Sequence, residues 1–298
     1  MDSEVIMTLF DSIFMGIIQG VTEFLPVSSS GHLAIFSILF GVETDTGMLF
    51  DILLHIGTLV AVCAVYYKDI LGMIVEFIRM MGDVFYNIRA KSWNKKHKKQ
   101  KEIRDVVCNS NRKMALMIIV TSIPTGVIGF AASDLIEQLS NYLIVPGICL
   151  LITATMLLIA DRLPDGNITP KKASYTSAFV IGIAQGIATL PGISRSGTTI
   201  TACLGCKYER KFAVKYSFLM SLPAIIGAAL KELLDVSGTE IASGEIGYYI
   251  IGTLVAAVVG YVCIKTMLVI VGKKKFTYFS VYCYIMGLTA IVGHFIVG

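Results

Sequence analysis

Six stretches of this chain, near 48–67, 114–132, 143–160, 212–230, 246–271 and 277–297, stay apolar long enough to cross a hydrocarbon core about 30 Å thick, which takes roughly 20 residues of helix. Backbone in lipid must satisfy its own N–H and C=O groups, so these stretches are predicted to be transmembrane helices. Composition agrees, with 55% hydrophobic and 15% charged residues and a mean hydropathy of +0.75, which excludes an ordinary water-soluble domain. The expected class is an all-α polytopic membrane protein, a single integral membrane domain over 1–298.

Charge sets the expected orientation. Residues 89–113 carry ten Lys and Arg against Glu102 and Asp105, which predicts a basic cytoplasmic loop. Its lone aromatic, Trp93, makes a nucleic-acid partner a poor reading. With that loop inside, Arg162, Lys171, Lys172, Lys207, Arg210, Lys211 and Lys273–Lys275 fall on the same side. Asp134, Glu137, Glu232, Asp235, Glu240 and Glu245 fall outside. Residues 68–88 include Asp69, Glu76, Arg79 and Asp83 and read as an amphipathic helix along the cytoplasmic surface, a seventh span being the alternative. Asp2 and Glu4 stand where a signal peptide has basic residues, so the first apolar segment is expected to stay in the mature protein. Seven cysteines, most inside apolar segments, do not read as a disulfide framework, and the Cys203–Cys206 CxxC lacks the partners of a metal or redox site.

Two further apolar stretches, 5–40 and 174–206, are cut in the middle by Pro, Gly and Ser, leaving halves too short to span. They are versions of one sentence: GIIQGVTEFLPVSSSGH from Gly16 and GIAQGIATLPGISRSGT from Gly182, with Gly16/Gly182 and Gly31/Gly197 both 166 residues apart. Each is expected to be a re-entrant helix pair followed by three spans. Repeat 1 covers about 5–162 and repeat 2 about 174–298. Three spans are an odd number, so the second copy is expected upside down, an inverted-topology repeat with the broken helices meeting at a site within the bilayer.

The breaks concentrate the chemistry. Ser28, Ser29 and Ser30 precede Gly31 and a short helix from about His32; Ser194, Arg195 and Ser196 precede Gly197 and a helix from Thr198. Paired helix N-termini with hydroxyls and a guanidinium suit an anion, most naturally phosphate; the bland reading is that the serines only satisfy backbone at a helix break. Arg195 tips the balance, because a guanidinium at this depth requires an anionic partner. Glu23, whose counterpart is Thr189, either neutralises Arg195 or holds a divalent cation or a nucleophile beside the phosphate. His32 reads as a proton carrier or a structural histidine. Gln19 lies one turn before Glu23, and Asp51 and His55 are expected one step removed from the reacting groups. His97 and His294 read as structural.

At this point the chain resembles a known family, the bacterial undecaprenyl-diphosphate phosphatases or bacitracin-resistance proteins. The resemblance covers essentially the whole chain and is marked by QGVTEFLPVSSSGH at 19–32 and PGISRSG at 191–197. It implies a hydrolase of the bacterial cytoplasmic membrane that converts the polyprenyl diphosphate lipid carrier to its monophosphate at the outer face. That reaction recycles the carrier for cell-wall synthesis and confers resistance to bacitracin, which competes by sequestering the substrate. The resemblance places the family's essential glutamate on Glu23, its serines on Ser28 and Ser29, its histidine on His32 and its arginine on Arg195. Gln19 stands where many members have a second glutamate, so a metal shared by two carboxylates does not carry over. The expected cofactor is Mg2+ or Ca2+ on Glu23 and Gln19, with Ser28, Ser30, Ser194, Ser196, Gly197 and Thr198 binding the diphosphate. Ser29 is the preferred nucleophile, ahead of Ser28, a water or His32. The rival class is a flippase of an anionic polyprenyl phosphate, and the oligomeric state, including a homo-oligomer, is left open.

Overall fold

A lipid-embedded backbone has few options, and among the described residues every regular element is a helix; a lone bridge joins Ile168 to Tyr208. The computed structural model describes residues 7–40, 47–97, 100–140, 142–235 and 246–297. The flanking charges Asp2, Glu4, Glu43, Asp45, Lys98, Lys99, Glu240 and Glu245 lie outside the described residues, as do the side chains of Glu137, Glu232 and Asp235. In chain order the helices are α1 Leu9–Phe24, α2 Ser29–Phe40, α3 Gly47–Lys96, α4 Ser110–Ala131, α5 Ser133–Ser140, α6 Ile144–Arg162, α7 Tyr175–Ile187, α8 Arg195–Gly205, α9 Arg210–Asp235, α10 Ile246–Gly272 and α11 Thr277–Val297. Six of them, α3, α4, α6, α9, α10 and α11, are long and apolar enough to cross a membrane, so the protein is multi-pass.

Local signals explain the helix starts. Thr8 and Asp11 form a capping box at α1, the Asn109 side chain accepts from the Arg112 N–H at 2.9 Å at α4, and Ser174 accepts from the Ser177 N–H at 3.0 Å at α7. The span at 48–67 and the amphipathic helix at 68–88 run on within α3 as two helical segments that meet at a kink at Tyr66 (φ −109°, ψ 20°). The chain departs from expectation in two places. The basic loop at 89–113 shrinks to the stretch 97–109, because its first residues extend α3 and its last begin α4. The inner helices start at Ser29 and Arg195, three residues ahead of His32 and Thr198.

The broken segments pack by close backbone approach. A Cβ on Gly16 would lie 2.6 Å from the Gly252 carbonyl oxygen of α10, and one on Gly182 would lie 2.3 Å from the Thr121 carbonyl oxygen of α4. One turn on, Gly20 faces Val259 Cβ and Gly186 faces Ile128 Cβ, each at 2.8 Å. The contact partners Thr121/Gly252 and Ile128/Val259 are both 131 residues apart, so equivalent glycines meet equivalent residues on the other half's helix.

α1 and α7 also begin at opposite ends of the bundle. The Ser12 hydroxyl of α1 donates to the Tyr248 carbonyl at the start of α10. At the other end, Ser177 of α7 lies 2.7 Å from the Tyr208 hydroxyl, and Lys113 sits 4.0 Å over the Tyr175 ring. This second end is basic, and Asp165 ties its loops together through Arg210 at 2.6 Å and Lys274 at 3.0 Å. These cations hold the Asp165 carboxyl below the usual aspartate range.

Candidate active site

Proline ends α1, because the residue before it, Leu25, is pushed into extended geometry (φ −73°, ψ 146°), whereas α7 ends at Ile187, ahead of Pro191. Pro26 follows α1 and Pro191 follows α7, but Pro191 comes one position earlier in the common register, and α7 correspondingly ends sooner. Glu23 is therefore still inside the last turn of α1, whereas its counterpart Thr189 lies beyond α7 and donates its hydroxyl to the Gly186 carbonyl at 2.7 Å.

The inner helices restart alike. The Ser28 hydroxyl accepts from the Gly31 N–H at 3.3 Å and lies 3.4 Å from the Ser30 hydroxyl; the Ser194 hydroxyl accepts from the Gly197 N–H at 3.1 Å and lies 3.3 Å from the Ser196 hydroxyl. Ser28 and Ser194 are the caps, leaving Ser29, Ser30, Arg195 and Ser196 in first turns whose N–H groups have no intrahelical acceptor. The loops touch directly: a Cβ on Gly31 would meet Gly192 Cα at 3.0 Å, and one on Gly197 would meet Pro26 Cβ at 3.2 Å. One backbone difference stands out, because Ser28 has φ 71° and Ser194 has φ −68°. A non-glycine residue in the left-handed region carries strain.

Glu23 is where the halves meet. Its Oε1 pairs with the Arg195 guanidinium, and its Oε2 accepts from the Ser29 hydroxyl at 2.7 Å and from the Gln19 amide at 3.2 Å. Ser29 and Arg195, the first residues of α2 and α8, thus hold opposite oxygens of one carboxylate. Nε2 of His55, from α3, lies 4.0 Å from Glu23 Oε2. His55 thus stands beside the Glu23 carboxylate, beyond hydrogen-bond range. Its Nδ1 lies 2.8 Å from the Asp51 carbonyl, and through that backbone contact Asp51 stands one step further out. Glu23, Gln19, Ser28, Ser194, Ser196 and Thr198 are buried, while Ser30 is exposed and Ser29, Arg195 and His55 are partly so, which marks the mouth. The Gln19 carbonyl oxygen and the Thr198 hydroxyl are buried without a partner.

His32 is held at both nitrogens, with Nδ1 2.7 Å from the Ser28 carbonyl and Nε2 2.7 Å from the Tyr282 hydroxyl. A carbonyl only accepts, so Nδ1 carries the proton and, in the neutral ring, Nε2 accepts from Tyr282. Sequence reasoning missed Tyr282: it is an aromatic residue in an apolar span, 250 positions from His32, and nothing local marks it.

A family described as bacitracin resistance protein BacA matches residues 12–289. An undecaprenyl-diphosphatase of Alkaliphilus metalliredigens is 40% identical over 286 residues, 96% of this chain and 98% of the relative. Those of Methanosphaera stadtmanae and Halothermothrix orenii are 37% and 38% identical, covering 95% and 96% of this chain and 97% and 98% of the relatives. With the match running from α1 into α11, the chain belongs to the bacitracin resistance protein BacA family.

Proposed function

We propose that the protein hydrolyses undecaprenyl diphosphate to undecaprenyl phosphate and inorganic phosphate. The observation that carries this reading is the Glu23 carboxylate, shared between a hydroxyl and a guanidinium on two facing helix N-termini. A diphosphate entering the mouth offers Arg195 a richer set of oxygens than Glu23 does, and the N–H groups of Ser29, Ser30, Arg195 and Ser196 supply further donors. The buried Thr198 hydroxyl, lacking a protein partner, is available to the same anion. Ser29 Oγ attacks the terminal phosphorus and passes its proton to Glu23 Oε2; the bond to the bridging oxygen breaks and undecaprenyl phosphate leaves. Water then releases phosphate from Ser29. His32, oriented by the Ser28 carbonyl and Tyr282, carries protons between the site and its surroundings.

A divalent cation, Mg2+ or Ca2+, fits these donors in company with substrate oxygens. Glu23 and the partnerless Gln19 carbonyl oxygen would hold it, although among the described residues no three of His, Cys, Asp and Glu gather as a metal group. When bound it would neutralise phosphate charge.

The repeat is read as inverted, supported by the exchanged glycine contacts and by the opposite ends at which α1 and α7 begin. With the basic end in the cytoplasm of a bacterial cell, α1 and its site enter from the outer side of the cytoplasmic membrane. The bilayer then holds the polyprenyl tail while the diphosphate reaches the mouth, and bacitracin competes by sequestering that lipid. The test is phosphate release by the purified protein in detergent, where no compartments exist. Release lost in Glu23→Gln and in Arg195→Lys supports the reading; full release in both overturns the site, and no release by the unaltered protein favours a flippase.

A further inference from the structure

We propose that the distal half of α3, beyond Tyr66, is an arm that docks on the anionic surface of the cytoplasmic leaflet. The arm has two unlike faces. On one, Met73, Met80, Asn87 and Asn94 follow each other at seven-residue steps beneath the returning chain. Asn87 exchanges two hydrogen bonds with the backbone of Arg104, at 2.8 and 2.9 Å, and Asn94 exchanges two with that of Lys101, at 2.9 and 2.7 Å. The acids of this face are neutralised there too: Arg112 joins Glu76 at 2.9 Å and Asp83 at 2.7 Å, and Arg104 joins Asp83 at 3.0 Å. Residues 100–109 are thus strapped along α3, and this face is closed.

The opposite face is open. Leu71, Ile74, Ile78, Phe85 and Ile88 recur at helical spacing, with Ile78 65% and Phe85 67% exposed. The same side of α3 carries the exposed Val60 and Tyr67 in its membrane-crossing half, so the apolar surface continues out of the bundle. The kink at Tyr66 separates the arm from the membrane-crossing half, and an arm that bends over there turns its lipid-facing side onto the membrane surface. Exposed Arg89, Lys91, Lys95 and Lys96 crowd the far end; of the arm's acids, Glu76 and Asp83 are held by the strap and Asp69 pairs with Lys215 of α9. An apolar stripe ending in cations complements a leaflet of anionic headgroups rather than a neutral surface or a second, equally basic copy.

Trp93, on the edge of the stripe and the sole tryptophan of the chain, reports on the arm in the full-length protein. In vesicles of phosphatidylcholine with phosphatidylglycerol, Trp93 is expected to be quenched by brominated lipid and shielded from aqueous iodide. In phosphatidylcholine alone, or with Lys95 and Lys96 changed to Gln, lipid quenching is expected to weaken on the order of fivefold per lost cation attraction. Ile78→Glu with Phe85→Glu should abolish it at an unchanged unfolding midpoint. Three results overturn the proposal: iodide-accessible Trp93 in both lipid mixtures, unaltered lipid quenching in the double Glu variant, and shielding that disappears when the protein is diluted among vesicles whatever their charge. Phosphate release is not the readout, so the docking stands or falls apart from the catalytic reading.

Discussion

The loops at 25–28 and 188–194 start from nearly the same words and end with different tasks. Both follow a helix end with a proline, restart a helix on a serine cap and bring a glycine against the other loop. They part where chemistry is needed: α1 runs far enough to carry Glu23, α8 opens on Arg195 where α2 opens on Ser29, and Ser28 alone of the two caps has positive φ. The repeated sequence supplies two helix starts, and in the proposed function local departures from symmetry turn the pair into a single polarised anion site. In the mechanism proposed above, the first loop brings nucleophile and base, and the second brings the clamp.

The sharpest way to break this division is Ser29→Ala, which removes the proposed nucleophile while leaving its partner Glu23. Phosphate release is expected to fall on the order of ten-thousandfold or more, whereas Ser196→Ala in the second loop should retain most activity. Arg195→Lys keeps the charge but loses the planar fork, and a loss in kcat/KM on the order of a hundredfold is expected. Tyr282→Phe tests the holder of His32: a loss of about tenfold is expected, less than removal of a general acid or base usually costs, together with a displaced pH profile of kcat. An unmoved profile would leave Tyr282 a packing residue.

Smaller effects separate the two caps. Ser194→Ala should cost about 1 kcal/mol of stability, the usual value of an N-cap. Ser28→Gly should be close to neutral, because relief of left-handed strain, about 1 kcal/mol, offsets the lost cap; thermal unfolding in detergent compares them. Smallest is Asp165→Asn at the basic end. A carboxyl whose folded pKa is depressed stabilises at neutral pH and loses that contribution as pH falls below the ordinary aspartate value of about 4 and on through its lower folded pKa. The variant should therefore lower the unfolding midpoint slightly at neutral pH and have no effect in acid.

Much of this was legible in the sequence because the bilayer restricts the choices. Apolar length marked the six spans, and the written repeat marked both breaks, Glu23, Ser29 and Arg195. The drop in hydropathy after residue 67 marks where the membrane-crossing part of α3 gives way to its distal part, and the kink at Tyr66 falls there. Tyr282 was not legible, because helical spacing shows which face a residue shares and not what that face meets 250 positions away.

By itself the sequence determined which segments are helical, where they break and which polar groups the breaks carry, since those follow from hydropathy, proline and capping, all local in the chain. Only the tertiary structure decided which groups touch. The ion pair of Glu23 with Arg195 and the hydrogen bond of His32 to Tyr282 join residues 172 and 250 positions apart. Such pairs depend on how glycine faces let α1 settle on α10 and α7 on α4, a packing outcome that no local pattern encodes.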